Sequence, residues 1–358
     1  MGWLWRFSCA PWLAVATPLA SQIVTGQVVD AATTAPVGEG FVVLLDEQGR
    51  EVGRTLTTAD GRYMLHAPGP GRYRLRSERI AYVAFVAPLF TLEDGQTLTH
   101  QLSVTALAVQ LKAVEVTGRT TCRLDSADAQ GTAAVWEEVR KALAAAVWTE
   151  GQRTYRYRTV AFAREWDASR SHVLGEVSDT LLGHARAPFA SAPAADLAVR
   201  GYIIAGADSV SYYGPDAVVM QDSSFLMSHC FRLVRRSLRG VPQVGLSFRP
   251  EPRRRLPDVR GVLWLDEATA ELRALEFSYT GVPEGVNDER IGGTVEFFRI
   301  PSGAWIVRRW ELRMPRLAAQ EASTGYSSQR RVVVRGFRDA GGEVLEIRAL
   351  DGGRVYPP

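Results

Sequence analysis

Lysine is nearly missing from this chain of 358 residues: it occurs only at positions 112 and 141, so the other basic residues are all arginine. The 42 basic and 39 acidic residues are interleaved throughout, so no basic domain separates out as a nucleic-acid platform. No helix-turn-helix, finger or RNP pattern accompanies the arginines, which leaves nucleic acid out as a partner. Long apolar runs are also missing, which excludes a membrane-spanning helix in the mature chain. Histidine is sparse, at 66, 100, 172, 184 and 229, and none has Glu at the third following position. That removes the His-x-x-Glu ligand set of a zinc peptidase, whose three ligands must leave one open position for water. Gly-x-Ser-x-Gly, a Walker loop and a helix-opening Gly-x-Gly-x-x-Gly do not occur either, so neither a catalytic residue nor a cofactor or metal site is assigned, and the chain reads as non-catalytic.

Cysteine is limited to positions 9, 122 and 230. Residues 1–21 have the form of an export signal: Arg6, an apolar run from Phe7 to Val15, then small residues with candidate cleavage points after Ala16, Ala20 or Ser21. Removal of Cys9 with that signal leaves Cys122 and Cys230 as an even pair in an oxidising compartment, where a bridge between them is the first reading. Two unpaired thiols, one buried beside Phe231 and one exposed, are the alternative.

What is present in abundance is short β-strand vocabulary. Gly40-Phe-Val-Val-Leu-Leu45, Arg62-Tyr-Met-Leu-His66 and Gly71-Arg-Tyr-Arg-Leu-Arg76 are separated by turn residues. Asp60-Gly61 and Pro70-Gly71 are turn signals, after which Tyr63, Leu65, Tyr73 and Leu75 alternate inward. With Val24-Thr-Gly-Gln-Val-Val-Asp30, Pro36 and Thr57-Thr58-Ala59-Asp60-Gly61-Arg62-Tyr63, this stretch from Ile23 to Arg119 resembles the carboxypeptidase regulatory-like domain. That resemblance implies a seven-stranded transthyretin-like β-sandwich over residues 22–119, in a group described as carbohydrate-binding-like, with the turn glycines and following tyrosines serving the fold. The closing run Leu107–Arg119 is similar to the segment that leads into the plug of TonB-dependent outer-membrane receptors. The 239 residues that follow Arg119 cannot also build a plug and a barrel of about twenty strands, so a transporter is excluded.

Residues 120–358 change character. Val135, Val139, Ala142, Leu143, Ala146 and Val147 share a helical face, with Glu137, Glu138, Arg140 and Lys141 mostly off it, predicting one amphipathic helix of about four turns. The pair Glu137-Glu138 reads as part of a solvated face, and the Ala/Pro-rich stretch 185–198 as a loop or short helical turn. Alternating runs from Thr154 to Arg335 then predict a curved antiparallel meander, making an α+β domain with one long helix on a sheet. Helix plus meander is similar to the lipoprotein-carrier (LolA-like) half-barrel. The chain is thus mainly β, with length enough for two domains with separate cores.

Two clusters stand out. Tyr212-Tyr213-Gly-Pro-Asp216 and Ser228-His-Cys-Phe231 read as a turn capped by Asp216 with His229 at the surface, or as a recognition edge. Arg253-Arg254-Arg255 reads as a solvated loop. Trp264, Trp305 and Trp310 lie on strand positions, and a separation of five sends Trp305 and Trp310 to opposite faces, one into the core and one toward a groove. Tyr212, Tyr213, Trp264, Trp305 and Trp310 therefore form the candidate binding surface, suited to sugar stacking or acyl-chain burial. The expectation is an exported, periplasmic or outer-membrane-associated protein that binds an envelope protein, glycan or lipid. A lipid carrier and a purely structural module are its rivals, and an inward cavity too large for the side chains to fill would favour the carrier.

Overall fold

A computed structural model describes residues 22–107, 122, 126–184, 191–206, 210–282, 291–324 and 327–357. The expected export signal at 1–21 and nearly all of the run 107–119 lie outside the described residues.

The first unit is a sandwich of two sheets. One holds β1 (Gln22–Asp30), β4 (Arg62–Ala67), β8 (Thr97–Thr99) and β9 (Leu102–Val104); the other holds β2 (Phe41–Asp46), β3 (Glu51–Leu56), β5 (Gly71–Glu78), β6 (Phe85–Val86) and β7 (Phe90–Leu92). These nine segments occupy seven strand positions, because β8 and β9 follow β1 in one parallel register and β6 and β7 both run antiparallel along β5. The parallel strand breaks at His100, whose carbonyl oxygen accepts from the Tyr63 hydroxyl. It also faces Gly26, where an added Cβ would clash with the His100 backbone. Tyr63, Leu65, Tyr73 and Leu75 are buried, as the turn signals predict, and Gly61 takes φ +77° at the first of those turns.

The second unit begins with α1 (Ser126–Gln152), 27 residues long and so nearly twice the expected length; Arg153 at φ 52° ends it in a left-handed conformation. A ten-stranded sheet follows, built from β10 (Tyr155–Trp166), β11 (Val173–Gly183), β14 (His229–Leu238), β15 (Val241–Pro250), β16 (Asp258–Asp266), β17 (Leu272–Thr280), β18 (Gly292–Arg299), β19 (Trp305–Thr324), β20 (Ser327–Ala349) and β21 (Arg354–Tyr356). The meander β14 to β20 is antiparallel throughout, and β20 then pairs with β10, which carries β11 at the edge. Between β11 and β14 lie three short helices, α2 (Ala194–Arg200), α3 (Ala217–Gln221) and α4 (Ser223–Ser228), and a two-stranded ribbon of β12 (Ile203–Ala205) with β13 (Val210–Tyr212). α1 remains the one long helix, as expected; α2 falls partly in the stretch 185–198 read as a loop or short helical turn, and α3 and α4 are additional. Asp216 and Asp222 cap α3 and α4 by accepting from backbone N–H groups, and elements this short show no periodicity to read. No helix among the described residues is long and apolar enough to cross a membrane.

The sandwich has a core of its own, but one face of β2 belongs to the core around α1. Every residue from Phe41 to Leu45 is buried, with Val42 and Leu44 in the sandwich core while Phe41, Val43 and Leu45 join the cluster around α1. The two-sided burial explains the unbroken apolar run of β2. Phe41 meets Trp148 of α1 edge-on at 5.2 Å. On its sheet side α1 buries Val135, Val139, Ala142, Leu143 and Ala146 against the meander.

The polar side of α1 is covered rather than solvated, because the sandwich lies over it. Glu138 and Lys141 are 5% and 3% exposed and pair at 2.6 Å. Glu138 accepts from the Ala81 N–H at 2.8 Å, and Lys141 donates to the Tyr82 carbonyl at 2.7 Å, in a turn where Ala81 has φ 64°. Arg140 reaches the buried Glu78 of β5 at 3.0 Å. A buried ion pair is retained only where the remaining donors and acceptors are also met, and here backbone groups of the other unit meet them.

At the far end of α1, Glu150 faces Asp216 across a cavity of about 40 Å³ lined also by Ala146, Met220, Leu275 and Phe297. Burial, reinforced by the Asp216 carboxylate, pushes the Glu150 carboxyl up to about 7.

Two outcomes follow from these contacts. Lys141→Met should cost about 3–5 kcal/mol in urea unfolding by leaving Glu138 charged and unpaired, with Glu138→Gln added to it recovering part of the loss. Sandwich and helix–sheet unit should unfold in one transition in the parent protein, because Phe41, Val43 and Leu45 of the sandwich are part of the core around α1. For Glu150, the folded chain keeps a proton that the unfolded chain releases near 4.5, so stability declines as pH rises from about 4.5 to 7. Glu150→Gln should flatten that decline and stabilise the protein above pH 7 by about 1–3 kcal/mol, read as urea midpoints at acid and alkaline pH.

Candidate functional site

The aromatic residues singled out in the sequence do not assemble into one surface. Tyr212 and Tyr213 are half-buried against the core around α1, with the Tyr212 ring 5.5 Å from Tyr279. Trp305 is 3% exposed and Trp310 packs on the same core, so the expected opposite facing is corrected. The cause is a β-bulge: Glu296 pairs with Arg309 but Phe297 with Val307, and the extra residue Arg308 returns Trp310 to the face of Trp305. Trp264 alone lies on the other face of the sheet. It is sandwiched there, with Gly245 beneath the indole and the Arg236 guanidinium 3.9 Å above it, and its Nε1 donates to Glu276 at 3.1 Å.

Cys122 and Cys230 are joined by a disulfide, with their Cα atoms 5.0 Å apart. Beside it, His229 is buried rather than at the surface. Its Nε2 lies 3.2 Å from Asp258, its Nδ1 lies 3.0 Å from the Phe225 carbonyl, and the Phe225 ring stacks on it at 4.0 Å. Arg254 is drawn in as well, against the reading of 253–255 as a solvated loop. It pairs with Asp258 and donates to the Leu197 and Ala198 carbonyls at 3.0 and 2.9 Å, which closes the C-terminal end of α2. Arg253 and Arg255 remain exposed. Ser228 Oγ stands 3.1 Å from His229 Nδ1, so Ser228, His229 and Asp258 line up as in a hydrolase. The imidazole is 1% exposed and roofed by Phe225, which leaves no approach for a substrate. The cluster ties α2 and α4 to the sheet.

The concave surface with unengaged chemistry is on the sheet face turned away from α1. Alternation sends Leu246, Phe248, Leu263, Leu275 and Phe277 toward the helix. The intervening residues then form two rows across the strands. Arg232 lies opposite Ser247, Ser247 opposite Val262, Val262 opposite Glu276 and Glu276 opposite Thr294. Cys230 lies opposite Arg249, while Arg260 faces Ser278, Ser278 faces Gly292 and Gly292 faces Arg313. All of these but Gly292 line a groove of about 490 Å³, with Phe248, Gly261, Phe277 and Gly293. Its glutamate, Glu276, is already held by both oxygens to Arg236 Nη1, at 2.9 and 3.0 Å. Arg249 and Arg313 make no hydrogen bond or ion pair among the described residues. Sequence reasoning treated the arginines as an interleaved background. The signal was their placement at polar-face positions of successive strands, which becomes a patch only once the register is known. A second recess, of about 740 Å³, lies on the sandwich and is lined by Thr25, Gln27, Thr58, Arg62, Met64 and Gln101. No group of three or more His, Cys, Asp or Glu placed to hold a metal occurs among the described residues.

Comparison with known proteins bears on the first unit. The carboxypeptidase regulatory-like domain matches residues 23–105. No curated protein matches the chain. Among solved structures, catechol 1,2-dioxygenase from Pseudomonas arvilla C-1 is 12% identical over 26% of this chain and 54% of its own, with a TM-score of 0.19. This chain therefore spans about half of that enzyme's length. A protein from Bacteroides uniformis ATCC 8492, proposed to bind carbohydrate, is 11% identical over 68% of this chain and 98% of its own, at TM-score 0.21. A DUF1329 family protein from Desulfovibrio piger ATCC 29098 is 12% identical over 62% and 94%, at TM-score 0.26. Likenesses at these scores carry no argument about what this chain does; the family match identifies the sandwich as similar to a carboxypeptidase regulatory-like domain.

Proposed function

We propose that the chain is a non-catalytic binding protein of the cell envelope that recognises its ligand on the outer face of the ten-stranded sheet. The observation that carries this reading is the groove between Arg232 and Arg313, where the side chains of Arg249 and Arg313 make no ion pair or hydrogen bond among the described residues. The Ser228–His229–Asp258 row, by contrast, is enclosed and spent on holding helices. The regulatory-like sandwich, in a group described as carbohydrate-binding-like, supports a binding or docking role beside the sheet, in a protein accessory to an outer-membrane system. A lipid carrier needs an interior space, and the cavity between α1, α3 and the sheet, at about 40 Å³, has room for a few waters rather than an acyl chain.

Hydroxyl-radical footprinting tests the reading. With an envelope polysaccharide fraction added, Val262 and its outer-face neighbours should lose reactivity while Val135 to Val147 on α1 do not change. Protection of the α1 segment by a lipid extract would establish the carrier instead. Release of shortened products from the polysaccharide fraction would overturn the non-catalytic assignment.

A further inference from the structure

The arginine groove has the chemistry of a site for an acidic polysaccharide, a class of ligand that the sandwich and its family do not specify. The inference rests on the binding role proposed above and names what that groove takes. Strands in a sheet lie about 4.8 Å apart, so Arg260 on β16 and Arg313 on β19 are separated by about 14 Å across β17 and β18. The positions between them in the same row are Ser278 and Gly292, a hydroxyl and a bare backbone. Arg249 stands on the strand next to Arg260, so cations stand at both ends of this uncharged row, while the groove's one carboxylate, Glu276 in the neighbouring row, is held by Arg236. Such a surface suits an extended ligand whose oxyanions are spaced by uncharged, hydroxyl-bearing units.

The same geometry discriminates among polyanions. Single-stranded nucleic acid is held by bases stacked on exposed aromatic rings. The aromatic rings at this groove, Phe248 and Phe277, are 2% and 3% exposed, and Trp264 beside it is stacked under Arg236, so the groove offers no platform of that kind. An acidic peptide adding as a strand would pair with the backbone of an edge strand such as β14 and run along it, whereas this groove runs across the strands from β14 to β19 and is lined by side chains. Guanidinium groups match carboxylate, sulfate and phosphate oxygens in bidentate geometry, and Arg249 and Arg313 have theirs uncommitted. We infer that the outer groove of the sheet binds a linear polysaccharide bearing carboxylate, sulfate or phosphate groups, with Arg249 and Arg313 as its two primary contacts.

The test uses the disulfide-bonded full chain and fluorescence anisotropy of labelled oligosaccharides: a sulfated heparin-type octamer, an oligogalacturonate, a phosphorylated mannan fragment and neutral dextran. At least one anionic probe should bind, weaken as salt rises, and outbind dextran; which one does so identifies the oxyanion. Arg249→Ala and Arg313→Ala should each weaken binding about tenfold, the loss expected for one charge-assisted contact. Neither side chain holds the fold together, so thermal melts of both variants should match the parent. Arg62→Glu in the sandwich recess serves as the positional control and should leave binding unchanged. If Arg62→Glu abolishes binding while the groove variants do not, the groove is not the site, although the protein remains a binding protein. Equal competition by a single-stranded oligodeoxynucleotide, or no binding of any anionic probe at low salt, would also overturn the inference.

Discussion

Everything in this molecule is organised around the pairing of Lys141 with Glu138 inside the contact between the two units. Both ions belong to α1, and each also meets a backbone group of the sandwich, Glu138 the Ala81 N–H and Lys141 the Tyr82 carbonyl, so they are satisfied only when both units are in place. Removing two charges from water costs several kcal/mol per ion, and a compact ammonium with three donors can meet both a carboxylate and a carbonyl in so small a space. A guanidinium is planar and broader. That difference gives a physical reason for a chain with 42 basic residues to hold one of its two lysines at this position.

With the clasp closed, α1 becomes the middle layer of the protein. Its apolar stripe faces the meander, its charged stripe faces β2 and β5, and β2 itself is buried on both sides. Among the described residues the sheet is backed along its inner face by α1 and opens onto the groove of its outer face between β14 and β19. Ligand contacts on the outer face need no rearrangement of the core beneath them, since the side chains alternate and the inner set is already packed. The enclosure of His229 and Asp258 belongs to the same construction: it anchors the helical excursion between β11 and β14 so that β14 can serve as an edge of the groove.

Much of the fold was legible from residues alone, because it is encoded locally. Asp60-Gly61 and Pro70-Gly71 mark turns whose following tyrosines point inward, and alternation marks the meander strands one at a time. The cysteine count indicated the bridge. What was not legible depends on partners distant in sequence. The facing of Trp310 is set by Arg308, an insertion that shows only against the shorter neighbouring strand. Glu138 and Lys141 read as a solvated stripe because nothing in the helix announces that a second unit covers it. Arg232, Arg249, Arg260 and Arg313 come from four different strands, and only the register gathers them. Tyr212 and Tyr213 look like a recognition patch in sequence, whereas the ribbon β12–β13 folds them onto the core.

The disulfide has a mechanical side. Cys122 precedes α1 and Cys230 begins β14, so the bridge short-circuits a sequence separation of 108 residues. Tension applied between the sandwich and the last strands would run from the sandwich into Cys122, across the sulfurs, and on through β14 to β20. The intervening helices, with β10 and β11, lie off that path and would bear no load while the bond is intact. Under such a pull the contacts that lock α1 against the sandwich would stay folded while the meander came under tension first.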